Sequence, residues 1–84
     1  MILAIDIGNT NIVIGCIRGE EIAFVERLHT DGTKSELEYA ISIKTVLEIY
    51  GIDRKELEGG IISSVVPPLT GVIRRAAAKV TGRE

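Results

Sequence analysis

Residues 1–11 read MILAIDIGNTN, and this stretch decides the fold class of the chain. An apolar strand over residues 2–7 carries one carboxylate, Asp6, and the polar turn GNTN (residues 8–11) follows directly. A carboxylate among buried apolar residues is costly unless it is paired, hydrogen-bonded or bound to a metal. The glycine lets another group approach the backbone, and the three small polar side chains can face an anion. The stretch therefore indicates a site for a Mg²⁺-bound phosphate, and hence for a nucleotide.

The same residues also suit an ordinary β-hairpin, which is the alternative interpretation of this turn. Gly and Asn tolerate positive φ, and Asp hydrogen-bonds to its own backbone, so all three are common hairpin residues. The short pattern D-x-G-N-T alone does not separate a phosphate site from a hairpin. The rest of the chain has to decide between them.

Composition narrows the class of protein. A chain of 84 residues is long enough for one domain. Because apolar residues make up 45% of it and aromatic residues only 4%, the core must be aliphatic. The formal net charge of −2 gives no basic surface for nucleic acid or for an anionic membrane.

The cysteine and the histidine give no sign of a reactive or metal-binding site. Cys16 has no partner for an intramolecular disulfide, and its place in an apolar run predicts a small buried hydrophobe. His29 has no further ligand at metal-binding spacing and is interpreted as a strand-end residue. The apolar start is too short for a signal peptide or a membrane span, so we expect a cytoplasmic protein.

Three strand-like segments at the start of the chain predict an antiparallel β-meander. Residues 2–7 are apolar at nearly every position, as expected for a central strand covered on both faces. Residues 12–17 and residues 21–28 follow after tight turns. In the third segment, the side chains expected to share one face are Ile22, Phe24 and Leu28.

A helix is predicted next, over residues 36–50. Ser35 and Glu38 form a capping box before it, and Gly51 ends it in a left-handed conformation. Its broad apolar face consists of Tyr39, Ala40, Ile43, Val46, Leu47 and Tyr50. A second capping pattern, at Asp53, predicts one further short turn.

A fourth strand and a second helix complete the predicted order. Residues 61–66 form the strand, which should lie parallel to the first because a helical crossover precedes it. Pro67 ends the strand and begins the helix, and Gly82 stops it. One amphipathic face of this helix consists of Leu69, Val72, Ile73, Ala76, Ala77 and Val80.

The fold class is therefore α/β, with a mixed sheet built in the order β-β-β-α-β-α and helices packed against it. Only one strand is added in parallel, and the outer edge of that strand has no predicted partner. Because the sheet looks incomplete, we expect the chain to be part of a larger protein.

The chain resembles type III pantothenate kinases in three blocks that occur in the family's order. The blocks are IDIGNTN (residues 5–11), KSELEY (residues 34–39) and IISSVVPPLT (residues 61–70), and the first and third are the more specific. This family belongs to the superfamily of acetate and sugar kinases, Hsp70 and actin. The resemblance therefore implies that residues 1–84 are the N-terminal part of an actin-like ATPase (ribonuclease H-like) domain, incomplete and without the family's second domain.

The resemblance assigns roles to residues of the first block. It implies that Asp6 interacts with Mg²⁺, through water. The backbone amides of Gly8 and Asn9 would meet the phosphates of ATP, and Thr10 and Asn11 would add side-chain donors. These residue types suit phosphoryl transfer, which needs charge neutralisation and positioning more than covalent chemistry from the protein.

Other positions keep two interpretations or receive no function. Gly15 matches a second glycine of the family pattern, but it equally suits a bulge or close packing in the hairpin. Ser63 and Ser64 lack a nearby basic residue, and the alternative to a substrate contact is that they close the strand and set the next helix. Leu37 stands where the family carries a carboxylate, and Lys34 and Ser35 are mild departures.

The family's members are much longer than this chain. The resemblance implies that the catalytic Asp, the segment that contacts pantothenate and the monovalent-cation site would lie beyond residue 84, so no catalytic residue is assigned here. For the whole protein the resemblance implies phosphorylation of pantothenate by ATP, the first step of coenzyme A synthesis. It also implies Mg²⁺, K⁺ or NH₄⁺, and a homodimer. We expect this chain alone to be inactive, and the alternative is a non-catalytic nucleotide-binding or self-associating module of the same fold.

Overall fold

The computed structural model describes residues 1–82 and contains one mixed sheet with helices on one side. The strands are β1 (Ile2–Ile7), β2 (Asn11–Arg18), β3 (Glu21–His29) and β4 (Gly59–Ser64). The helices are α1 (Glu36–Ile49) and α2 (Pro67–Thr81), with a short 3-10 helix (Arg54–Glu56) before β4. The strand order across the sheet is β3-β2-β1-β4. The predicted order β-β-β-α-β-α and the mixed sheet are confirmed.

The pairing of the strands follows the prediction. β2 lies antiparallel to both β1 and β3, so the first three strands form the expected meander. β4 lies parallel to β1, with Asp6 of β1 opposite Ser63 of β4. The crossover through α1 therefore returns the chain to the far side of β1, as a helical connection between parallel strands requires.

The hydrophobic core lies between the two helices and one face of the sheet. Alternate residues of β1 and β2 point into it, as the two-residue period of a strand requires. Its buried members on the strands are Leu3, Ile5, Ile7, Ile12, Ile14, Cys16 and Phe24. Within residues 1–82 no element covers the other face, which we call the open face; Ile61 there is 62% exposed. The prediction that β1 is covered on both faces is therefore wrong for the part of the chain that the structure describes.

A bulge in β3 corrects the prediction for Ile22. The pairing between β2 and β3 shifts after Cys16, so that Cys16 lies opposite Phe24 while Ile17 lies opposite Ile22. The extra residue, Ala23, moves Ile22 to the face opposite Phe24. Ile22 is consequently 68% exposed, on the open face, whereas Phe24 is buried.

The fourth strand begins and ends two residues earlier than predicted. Gly59 and Gly60 are part of β4, where they pair with β1, although they were predicted to precede the strand. An added Cβ on Gly60 would lie 3.2 Å from the carbonyl oxygen of Leu3, so this glycine permits a close approach of the two strands. Val65 and Val66 instead form the connection to α2.

The helix ends agree closely with the predicted signals. Both capping boxes are present, at Ser35 before α1 and at Asp53 before the 3-10 helix. Gly51 and Gly82 adopt left-handed φ values of 70° and 74° directly after their helices. The predicted faces of both helices are packed in the core, except that Tyr50 lies just past α1 and stays 42% exposed. Its ring stacks on Phe24 with centroids 4.4 Å apart.

Candidate functional site

The connections after β1, β3 and β4 meet at one edge of the sheet. β1 and β4 are parallel, and β3 runs in the same direction because β2 is antiparallel to both of its neighbours. The turn at residues 8–11, the loop that begins at Thr30 and the connection at residues 65–66 therefore share the carboxyl edge of these strands. In open α/β sheets, ligands bind in the crevice outside the carboxyl ends of the strands. This edge is the candidate site.

The turn after β1 has a specific pattern of backbone hydrogen bonds. The amide of Gly8 donates to the carbonyl oxygen of Asn11 at 2.9 Å. The hydroxyl of Thr30 donates to the carbonyl oxygen of Gly8 at 2.8 Å. The amide of Thr30 donates to the carbonyl oxygen of Thr10 at 2.9 Å. Two carbonyl groups of the turn are thereby occupied by Thr30.

Two amide groups of the same turn have no hydrogen-bond partner in the part of the chain that the structure describes. Within residues 1–82, neither Asn9 nor Thr10 has a hydrogen-bond acceptor for its backbone N–H. The side chains of both residues are exposed, so the amides lie in a solvent-accessible turn. Free backbone N–H groups of successive residues are the donors that bind phosphate oxygens in anion-binding loops. The turn therefore offers two backbone donors of the kind that such loops use.

Gly8 is needed for close approach rather than for an unusual φ. None of residues 8–11 has positive φ, so the turn is not the primed type that Gly and Asn favour in two-residue hairpins. A Cβ on Gly8 would lie 2.9 Å from the carbonyl oxygen of Asn11, closer than real Cβ atoms come to other groups. The glycine thus permits the tight turn that leaves the two amides free.

Asp6 lies on the open face of the sheet beside the candidate site. Its neighbours across the strands are Val13 on β2 and Ser63 on β4. Asp6 is exposed, so the expectation of a carboxylate among buried residues is wrong. In the part of the chain that the structure describes, it makes no hydrogen bond or ion pair. Asp6 is consequently available to a cation, and it borders an apolar depression of about 250 Å³ on the open face.

The residues that could hold a metal ion are few. Within residues 1–82, no three side chains of His, Cys, Asp or Glu come close enough together to hold a metal ion by themselves. Mg²⁺ in phosphate-transferring sites usually keeps several waters and takes one or two carboxylates together with substrate phosphates. A single free carboxylate beside free amides fits that kind of site, and it does not fit a metal cage built by the protein alone.

The two serines at the end of β4 occupy different positions. Ser63 lies on the open face next to Asp6. Ser64 accepts a hydrogen bond from the amide of Val66 at 3.0 Å, and the amide of Val65 donates to the carbonyl oxygen of Ile7 at 3.0 Å. Ser64 therefore closes the strand and sets the start of α2, which agrees with the structural interpretation of this residue.

Other residues singled out in the sequence have structural positions. A Cβ on Gly15 would lie 2.9 Å from the carbonyl oxygen of Phe24, so Gly15 allows close packing of the hairpin. Cys16 is fully buried, and burial raises the pKa of its thiol, which makes it an inert core residue. His29 is the last residue of β3, as predicted, and lies opposite Asn11.

The loop after β3 contains contacts that sequence reasoning missed. Thr30 was interpreted only as part of a loop, yet it holds the turn 22 residues before it. Tyr39, fully buried on α1, donates its hydroxyl to the carbonyl oxygen of Asp31 at 2.5 Å and accepts from the Asp31 amide at 2.9 Å. The Asp31 carboxylate accepts from the hydroxyl and amide of Thr33, which lowers its pKa. No local sequence pattern signals a contact between Thr30 and the turn.

A separate depression lies away from the turn. It has a volume of about 370 Å³ and lies between β4 and α2, where Gly60, Thr70 and Arg74 contribute to its lining. None of the residues predicted to bind ATP or Mg²⁺ borders it. It is therefore not part of the candidate site.

In the described part of the chain, no helix is long and apolar enough to cross a membrane.

Comparison with known proteins gives one family. The family model for type III pantothenate kinase matches residues 2–84. A type III pantothenate kinase of Moorella thermoacetica is 39% identical over 84 residues, which cover all of this chain and 33% of that protein. Those of Brevibacillus brevis and Geobacter sulfurreducens are 44% identical over 79 residues and 45% identical over 75 residues. These matches cover 94% and 89% of this chain, and 31% and 29% of the relatives.

The matches concern the N-terminal part of these relatives, and the chain spans about a third of their length. The family model covers nearly every residue, and the predicted resemblance to this family is confirmed. The chain belongs to the type III pantothenate kinase family.

Proposed function

We propose that this chain is the ATP-phosphate-binding part of a type III pantothenate kinase. The whole protein would transfer the γ-phosphoryl group of ATP to pantothenate, the first step of coenzyme A synthesis. The observation that carries the proposal is the turn after β1, in which the amides of Asn9 and Thr10 have no acceptor within residues 1–82 and follow the exposed residue Asp6 closely along the chain. Membership of the family supplies the reaction.

The residues present fit a nucleotide phosphate with Mg²⁺. Asp6 would hold the ion, through water, because a free carboxylate is a preferred oxygen ligand of Mg²⁺. The amides of Gly8 and Asn9 were predicted to meet the phosphates. Since Gly8 donates within the turn, the free donors are instead those of Asn9 and Thr10. The side chains of Thr10 and Asn11 are exposed at the same turn and can add donors.

Bound Mg²⁺ would neutralise phosphate charge, which is the principal requirement of phosphoryl transfer. The protein's own part at this edge is to orient the phosphate chain with backbone donors. The general base, the pantothenate-binding residues and the site for K⁺ or NH₄⁺ would belong to the two thirds of the relatives' length that this chain does not match. We therefore propose that the chain alone phosphorylates no pantothenate, that the whole protein is a homodimer and that it acts in the cytoplasm.

The proposal is tested with a hybrid enzyme. Residues 1–84 replace the matching segment of the Moorella thermoacetica relative, to which they are 39% identical. We expect the hybrid to phosphorylate pantothenate with ATP, and the same hybrid carrying Asp6→Asn to lose most of that activity. A hybrid that is folded, as judged by cooperative unfolding, but that transfers no phosphate to pantothenate would contradict the proposal. Phosphorylation of pantothenate by the 84-residue chain alone would contradict its inactivity.

A non-catalytic module that binds nucleotide or self-associates is the second candidate. The open face favours it, because Ile22, Val25 and Ile61 are more than half exposed there, and exposed apolar patches mark interaction surfaces. Sedimentation measurements over a range of concentrations test this candidate. A monomer at all concentrations would exclude self-association through this face.

A further inference from the structure

We propose that Thr30 is a positioning residue for the phosphate-binding turn. The inference rests on the proposed function and deepens it, because it assigns to a residue outside the sequence motif the task of shaping the site. Thr30 follows β3 and is partly buried. Its hydroxyl and its amide each donate to a carbonyl oxygen of the turn, at Gly8 and at Thr10.

The two hydrogen bonds from Thr30 determine which polar groups of the turn stay available to an anion. A peptide turn near an anion presents both carbonyl oxygens, which repel phosphate, and amide groups, which attract it. Thr30 occupies the carbonyl oxygens of Gly8 and Thr10, while the amides of Asn9 and Thr10 have no acceptor within residues 1–82. The turn thus keeps two donors for an anion and has two of its acceptors satisfied by the protein.

The position of Thr30 is itself fixed by the core. The next residue, Asp31, is held through its backbone N–H and carbonyl oxygen by the hydroxyl of Tyr39. Tyr39 is fully buried on α1. A continuous path of contacts therefore connects the core to the turn through Tyr39, Asp31 and Thr30, and a turn of exposed residues acquires a defined shape.

The test compares two substitutions of Thr30 in this chain. Thr30→Val keeps the shape of the side chain and removes the hydroxyl donor, whereas Thr30→Ser keeps the donor. Thr33→Val is the matched control, because the Thr33 hydroxyl lies in the same loop but donates to the Asp31 carboxylate and not to the turn. The backbone amide of Thr30 is unchanged in all of these variants.

The first measurement is made without nucleotide. Hydrogen exchange by NMR reports the Gly8 amide, which donates to Asn11 inside the turn. We expect its exchange to become about five-fold faster in Thr30→Val, as for the loss of one neutral hydrogen bond. Exchange in Thr30→Ser and Thr33→Val should stay near the wild-type rate. Equal exchange at Gly8 in Thr30→Val and wild type would overturn the inference.

The second measurement is the affinity for ATP with Mg²⁺, by NMR titration. We expect Thr30→Val to weaken binding by about five-fold and Thr30→Ser by less than about two-fold. Equal weakening by both variants would overturn the inference, since the hydroxyl would not be the cause. If the wild-type chain bound no ATP, the proposed function of the chain would fail, while the exchange of the Gly8 amide would still decide whether Thr30 holds the turn.

Discussion

Substitution of Gly8 by alanine tests the geometry of the turn. The added Cβ would lie 2.9 Å from the carbonyl oxygen of Asn11, which also accepts the Gly8 amide at 2.9 Å. An ordinary van der Waals contact begins near 3.4 Å. Because the obstructing atom belongs to the backbone at the start of β2, it cannot move aside as a flexible side chain would. The turn has to open, and the Gly8–Asn11 hydrogen bond has to lengthen or break.

The expected cost combines three terms. Overpacking against a fixed group costs about 1–3 kcal/mol, and the lost hydrogen bond costs about 1 kcal/mol. The alanine also lowers the conformational entropy of the unfolded chain, which stabilises the folded state by about 0.4–1 kcal/mol. Since the turn is partly exposed and can relax, we expect a net loss near the lower end, about 1.5 kcal/mol. For a domain of this size that lowers the melting temperature by roughly 6–12 °C.

Urea unfolding followed by circular dichroism measures the loss, with Gly59→Ala as the matched control. Gly59 is also a glycine of the sheet, but a Cβ there would meet only the terminal methyl of Ile2 at 3.9 Å. We expect Gly59→Ala to be as stable as the wild type or slightly more stable. If Gly8→Ala were as stable as Gly59→Ala, the close approach in the turn would be refuted.

Two further predictions concern stability. Tyr39→Phe removes both hydrogen bonds to the Asp31 backbone and should lower the free energy of unfolding, measured in urea, by about 1–2 kcal/mol. The control Tyr50→Phe, at an exposed hydroxyl, should lower it by less than about 0.5 kcal/mol. Equal effects of the two substitutions would contradict the role of Tyr39. The hydrogen bond from Arg75 lowers the pKa of Glu36 in the folded chain below its usual 4.5. The ion pair therefore contributes its full stabilisation of the folded chain above pH 4.5, and this contribution is lost as the pH falls through the lower pKa of the folded state. Glu36→Gln should therefore narrow the difference between urea midpoints measured at about pH 7 and about pH 3, and an unchanged difference would contradict the ion pair.

Local signals predicted the elements of the fold. Alternating and continuous apolar runs gave the strands, and the capping boxes at Ser35 and Asp53 gave the starts of two helical segments. Gly51 and Gly82 gave two helix ends, since glycine adopts left-handed φ at low cost. These signals are reliable because each depends on residues within a few positions of one another.

The errors have physical reasons that lie outside such local patterns. Gly59 and Gly60 belong to β4 because they pair with β1, and the backbone of β1 approaches Gly60 closely, whereas glycines before an apolar run usually indicate a turn. The bulge at Ala23 reversed the face of Ile22, and no residue type required a bulge at that position. The apolar character of β1 also gave no information on whether both of its faces are covered within this chain.

The candidate site could be predicted in part. The motif indicated Asp6 and the turn, because a carboxylate next to a glycine-containing polar turn is a recognisable combination. It did not indicate that Asp6 is exposed, or that the Gly8 amide is used inside the turn. Thr30 was missed because its contact with Gly8 spans 22 residues and arises only when the meander brings the two loops together.

The most direct test of the central claim is an NMR titration of this chain with ATP and Mg²⁺. Wild type is compared with Asp6→Asn and with Glu20→Gln, a control that neutralises an exposed carboxylate in the turn between β2 and β3. We expect the chemical-shift changes to concentrate on residues 8–11 and to persist in Glu20→Gln. In Asp6→Asn the affinity for ATP should fall by at least about ten-fold, as for loss of a charged ligand. A folded chain with no shifts in this turn at about 10 mM ATP, or with equal shifts in Asp6→Asn, would contradict the claim.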